Sequence, residues 1–150
     1  MTENDRAFLE ISLTLLQQGC RVRFRPGGQS MHPTIKNGEA VLVEPIKPEQ
    51  VNVGDIILYL FHRGVIAHRV LRIERRAENQ FLITRGDASR TNDAPVPAVD
   101  VLGRVVAVER GGRSIALTGR PARLRRALRL LAGQAKSWLT RLGLVQSKKS

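Results

Sequence analysis

Turn-forming residues cut the middle of this chain into short apolar runs, and that spacing limits the fold more than any other feature. Ala40–Glu44, Ile56–Phe61, Val65–Ile73, Gln80–Arg85 and Leu102–Glu109 are rich in Val, Ile, Leu and aromatic residues. Asn37-Gly38, Gly54-Asp55, Arg63-Gly64 and Gly86-Asp87 punctuate them. Runs of this length bounded by turn residues read as strands, and their succession predicts a small coiled β body rather than a βαβ sheet. His62-Arg63-Gly64 predicts a hairpin between the second and third runs, and Gly111-Gly112 predicts another leading into Arg113–Leu117. Upstream, Arg21–Arg25 alternates as a strand does, and Pro26-Gly27-Gly28 then turns the chain. Phe8, Ile11 and Leu15, with Leu9, Leu13 and Leu16, recur at helical spacing over residues 4–18, where Asn4 or Asp5 is the cap and Gly19-Cys20 the stop.

The chain of 150 residues is about one domain in size, enough to bury a core without metals or disulfides. Its net charge of +12 is unevenly placed. Residues 1–109 hold 14 Lys/Arg and all 13 Asp/Glu, whereas residues 110–150 hold 11 Lys/Arg and no acid. The body is near neutral and the basic character belongs to a tail. Three parts follow: residues 1–25 with an amphipathic helix and first strand, a β domain over 26–118, and a basic amphipathic helix over 119–150. In that tail Leu124, Leu128, Leu131, Ala135, Trp138 and Leu142 form the apolar stripe, with arginines mostly off it. Such a helix over residues 120–142 suits contact with an anionic membrane surface, although packing on the β body explains the same pattern. Nucleic acid is the less favoured partner. No run reaches the ~18 apolar residues of a membrane span, and the N-terminus lacks a basic region with a long apolar core. With one unpaired cysteine, Cys20, these features predict a soluble, cytoplasmic protein, peripheral at the membrane if the tail binds there.

Three segments carry candidate chemistry. Gly28-Gln29-Ser30-Met31-His32-Pro33-Thr34 approaches a serine through glycine, and Ala67-His68-Arg69-Val70 places a histidine in an apolar strand. Thr84–Asp93 is a polar loop with two carboxylates, Asp87 and Asp93. Serine is a weak nucleophile until a neutral imidazole accepts its proton, and a carboxylate on the far ring nitrogen fixes the useful tautomer. No Cys/His cluster has ligand spacing, so neither a metal nor a cofactor is expected. A Ser, a His and an Asp alone leave the function open.

The order of motifs narrows it. Gly28-x-Ser30-Met31-x-Pro33-Thr34, Gly54-Asp55-Ile56-Ile57, His68-Arg69-Val70, Gly86-Asp87 with Asp93, and Leu102-Gly103-Arg104-Val105 together resemble the box set of type I signal peptidases. The histidine in place of lysine is similar to the endoplasmic-reticulum and archaeal branch. The resemblance implies the fold shared with LexA-like self-cleaving repressors and a serine peptidase acting on a signal, leader or precursor peptide. It further implies Ser30 as nucleophile, His68 as general base and Asp93 as the orienting carboxylate. Asp87, Gly28, Met31 and Arg69 take supporting places. Gly28 stands where many members carry a serine whose hydroxyl helps the oxyanion hole, which leaves the Ser30 backbone N–H as the main donor. Asn92 stands where a second aspartate is frequent. The family also implies small side chains near the cut. Two other classes compete: a non-catalytic peptide-binding module on the same fold, and a nucleic-acid-associated regulator related to the self-cleaving repressors.

Overall fold

A computed structural model describes residues 3–61 and 64–118. The expected C-terminal helix over 119–150 and the hairpin residues His62 and Arg63 lie outside the described residues. In chain order the elements are α1 (Glu3–Gln17), β1 (Val22–Phe24), β2 (Ala40–Glu44), β3 (Ile56–Phe61), β4 (Gly64–Arg76), β5 (Asn79–Arg85), β6 (Val96–Pro97), β7 (Val101–Arg110) and β8 (Arg113–Ala116). Short 3-10 turns at Pro48–Gln50 and Ala98–Asp100 precede β3 and β7. All strand pairs are antiparallel, in the spatial order β1-β2-β7-β3-β4-β5-β6, with β8 also on β7. The sheet is open, since β1 and β6 end the path without pairing to each other. No helix among the described residues is long and apolar enough to cross a membrane.

The coiling gives the sheet two apolar faces. Ile56 and Leu58 belong to a cluster with Met31, Ile35, Val41, Val43, Ala67, Val105 and Val108. Ile57 and Tyr59 of the same strand join Val51, Val70, Leu82, Val96 and Ala98 on the other side. This is why β3 reads as a continuous apolar run: side chains alternate across the pleat and both faces are covered. Each of these side chains contributes roughly 1.5–3 kcal/mol by burial.

β7 is the seam of the sheet. Its first half pairs with β3, its second half with β8, and most of its length with β2. Register shifts at Leu42/Val43 and Leu58/Tyr59 let it bend between these partners. Gly103 permits the approach, because a Cβ there would lie 2.6 Å from Val43 Cγ1 and 2.7 Å from the Glu44 carbonyl oxygen.

Helix α1 ends in a Schellman turn, with Cys20 N–H donating to the Leu15 carbonyl, Gly19 N–H to that of Leu16, and Gly19 at φ +85°. Its inward face differs from the stripe the sequence suggests. Ser12 and Leu16 are buried, whereas Phe8, Ile11 and Leu15 are 51%, 60% and 37% exposed. The Ser12 hydroxyl can turn inward because it donates to the Phe8 carbonyl at 2.8 Å, which removes the cost of burying it. Phe8 stacks on Phe24 of β1 from the rim, ring centroids 6.3 Å apart.

Candidate active site

Ser30 stands at the surface on a firmly anchored turn. Its neighbour Met31 and the nearby Ile35 are buried in the first cluster at 5% and 3% exposure. His32 N–H donates to the Gln29 carbonyl at 3.0 Å and Ile35 N–H to that of Met31 at 2.9 Å. The chain turns through Gly28 at φ +91° and a cis His32–Pro33 bond. Thus one residue points to solvent while the next is locked in the core. Among the described residues, no backbone carbonyl accepts the Ser30 N–H.

His68 lies on β4 opposite Ile57 of β3 and is 7% exposed. Its Nε2 is 2.9 Å from Ser30 Oγ, and its Nδ1 is 2.7 Å from Asp93 Oδ2. Beside an ionised carboxylate Nδ1 carries the hydrogen, so Nε2 presents its lone pair and the Ser30 hydroxyl donates to it. Asp93 reaches this point because its own N–H donates to the Thr84 carbonyl at 2.9 Å, which clamps the far end of the loop to β5. The Thr84 hydroxyl donates to Asp93 Oδ2 at 2.7 Å. The Tyr59 hydroxyl lies 3.3 Å from the same oxygen and 3.2 Å from Thr84 Oγ1. Burial pushes the Tyr59 phenol up to about 12, so it remains a donor at neutral pH.

The second carboxylate of the loop does different work. Asp87 receives Arg69 Nε at 2.7 Å on one oxygen and Arg69 Nη2 at 2.6 Å on the other. It also accepts the Thr34 hydroxyl at 2.5 Å, while Arg69 Nη1 donates to the Gly54 carbonyl at 2.9 Å. Arg69 side chain is 8% exposed, so this is a nearly buried bidentate pair tying the loop to β4 and to the turn after Ser30. Ala88 N–H completes the tie by donating to the Ser30 carbonyl at 2.8 Å.

The structure therefore brings Ser30, His68 and Asp93 into one hydrogen-bonded chain and sets Asp87 with Arg69 beside it. Met31 faces the core, and nothing lies within 4 Å of a Cβ built on Gly28. Because Gly28 is in the left-handed region, a serine at that place would be strained. Tyr59, Thr84 and Thr34 are participants to which the sequence reading gives no role. A tyrosine in an apolar strand was the available signal, since its buried hydroxyl needs a polar partner. A groove of about 740 Å³ lined by Arg23, Arg25, Arg110 and Arg113 contains none of these residues. Of its cations, Arg23 is paired with Glu109 and Arg110 with Glu39.

Comparison with known proteins gives the family of the chain. The sequence profile described as Peptidase S24-like matches residues 2–106. The signal peptidase complex catalytic subunit SEC11 of Ogataea parapolymorpha is 31% identical over 97 residues, which cover 51% of this chain and 54% of that protein. The protein of the same name from Lodderomyces elongisporus is 35% identical over 66 residues, covering 43% and 39%. That from Scheffersomyces stipitis is 33% identical over the same length. The chain thus spans about half, or less, of the curated relatives it matches.

Proposed function

This chain belongs to the peptidase S24-like family, and from that premise we propose that it is a serine endopeptidase cutting a signal, leader or precursor peptide through a Ser30 acyl-enzyme. The observation that carries the reading is the hydrogen-bonded chain from an exposed Ser30 through His68 to Asp93, with links of 2.9 and 2.7 Å.

Ser30 Oγ attacks the scissile carbonyl while His68 Nε2 takes its proton. The Ser30 N–H faces the developing oxyanion, and such a donor strengthens as charge gathers on that oxygen. His68 then returns the proton to the leaving amine, which departs with the C-terminal fragment. Water, deprotonated by the same imidazole, attacks the acyl carbonyl, and the imidazolium gives that proton to Ser30 Oγ as the acyl bond breaks. Asp93 holds Nδ1–H throughout and steadies the imidazolium. The substrate lies extended beside β4, where, among the described residues, residues 64–68 pair with β3 alone and their other edge is unpaired until Arg69 meets Arg85 of β5. The relatives named as signal peptidase subunits support a precursor peptide as the substrate class.

The test is turnover of fluorogenic peptides with small residues flanking the cut. Ser30→Ala and His68→Ala should each lower kcat by about 10⁴-fold or more, and mass spectrometry should trap an acyl adduct on Ser30. Turnover that survives Ser30→Ala overturns the proposal. A second reading, a peptide-binding module without catalysis, draws on Gly28, which supplies no hydroxyl to the oxyanion. Tight peptide binding with no cleavage would favour it.

A further inference from the structure

Three adjacent strands converge on one oxygen atom of a loop carboxylate. Tyr59 comes from β3, His68 from β4 and Thr84 from β5, and all three meet Asp93 Oδ2. Thr84 and Tyr59 are 0% and 1% exposed, so neither hydroxyl has water as an alternative partner. A hydroxyl carries a single hydrogen. With Thr84 donating to Asp93 at 2.7 Å, Tyr59 divides its hydrogen between Thr84 Oγ1 and Asp93 Oδ2, both at longer range. Thr84 is thus the principal donor and Tyr59 supports it.

We infer that Thr84, backed by Tyr59, is a positioning residue that holds the Asp93 carboxylate in the rotation presenting Oδ2 to His68. Asp93 stands on a loop, where side chains are otherwise free to choose among rotations, and its side chain is 24% exposed. An oxygen gripped from β5 on one side and by the imidazole on the other cannot rotate to solvent without breaking both bonds. Thr84 also holds the Asp93 backbone through its carbonyl at 2.9 Å, so one residue sets both the main chain and the carboxylate of its partner. The network runs from the core to the surface as Tyr59, Thr84, Asp93, His68 and Ser30. The inference rests on the peptidase reading, because what Thr84 protects is the aim of His68 at Ser30.

Thr84→Val keeps the branched shape and removes the hydroxyl. In the full chain it should lower kcat about tenfold, the effect of one hydrogen bond to a charged group, with KM unchanged. Thr84→Ser restores the donor and should recover most of that loss. Tyr59→Phe should lower kcat by a smaller factor, two- to threefold by the same reasoning about a longer, shared bond. The decisive arm is a double-mutant cycle: in an Asp93→Ala background, which leaves no acceptor for the Thr84 hydroxyl, Thr84→Val should have no further effect on kcat. Unchanged kcat in Thr84→Val, or a full tenfold loss that persists without Asp93, overturns the inference. Turnover indifferent to Ser30→Ala is a different failure, since it removes the peptidase reading and leaves nothing for Thr84 to position.

Discussion

Adding a single methyl group at Gly86 should disable the site without touching any reacting atom. A Cβ built there lies 2.5 Å from the Ser30 carbonyl oxygen, 2.9 Å from Ser30 Cβ and 2.9 Å from Ser89 Oγ. Comfortable contact between such atoms is about 3.5 Å, so the nearest pair must separate by roughly 1 Å. The obstacle is main chain, which cannot swing aside as a long side chain can. Gly86 is outside the left-handed region, so alanine meets no backbone penalty and the whole effect is steric. Overpacking of this kind costs about 1–3 kcal/mol. Moving Ser30 by ~1 Å from His68 costs about 10²-fold in rate, and it also stretches the Ala88-to-Ser30 hydrogen bond. Gly86→Ala should therefore lose about 2 kcal/mol in urea denaturation and about 100-fold in kcat/KM for peptide cleavage. Gly27→Ala is the control for stability, because nothing lies within 4 Å of its added Cβ. A Gly86→Ala variant with an unchanged denaturation midpoint and kcat/KM within twofold of the parent would refute the reasoning.

Four further outcomes are expected. Asp87→Ala strands the Arg69 guanidinium, 8% exposed, without its counter-charge and should cost about 3 kcal/mol by chemical denaturation; a loss under half that would show the pair to be dispensable. Hydrogen bonds from Arg110 hold Glu39 down to about 2 against an ordinary 4.5, so the stability it contributes is present above 4.5 and lost as pH falls toward 2. Glu39→Gln should flatten that part of the acid denaturation curve, and an identical curve would count against it. The chain has a single tyrosine, so absorbance at 295 nm reads Tyr59 directly: ionisation should centre near pH 12 in the folded protein, and a midpoint at 10 would contradict the buried network. Finally, full-length protein should float with anionic vesicles and cease to do so when Arg123, Arg125, Arg126 and Arg129 are changed to Gln; equal flotation would remove the membrane from the tail's role.

The apolar runs and their turn residues made most strands legible, because alternating burial and Gly-containing breaks are local signals. What the sequence hid was less local. β4 continues past Ile73 to Arg76 as a ribbon with β5, where Arg72, Glu74 and Arg76 pair with one another instead of burying anything. Charged residues give no strand signal, and the turn beyond uses Ala77 at φ 51°, with no glycine to announce it. β6 is two residues long and includes Pro97, so no apolar run marks it; its pairing with β5 depends on a neighbour that periodicity cannot see. Ser30 and His68 were legible through their motifs, but the division of labour between Asp87 and Asp93 depends on how one loop folds back. Arg69 follows His68 on β4 and points to the other side of the pleat, so the two aspartates serve opposite faces of one strand. The sequence gives Thr84 and Tyr59 no role, because a buried hydroxyl becomes informative once its partner is known.

The central place of β7 has a consequence for how the protein is made. Ser30 lies between β1 and β2, His68 lies on β4, and among the described residues these two groups of strands are joined in the sheet through β7 alone. A nascent chain that has not yet synthesised residues 101–110 holds two pieces of sheet with no strand pairing between them. At translation rates of about 5–20 residues per second, several seconds separate the appearance of Ser30 from that of its bridge. Nucleophile and base therefore leave the ribosome on pieces of chain that no strand pairing yet joins, and the late strand completes the sheet beneath them.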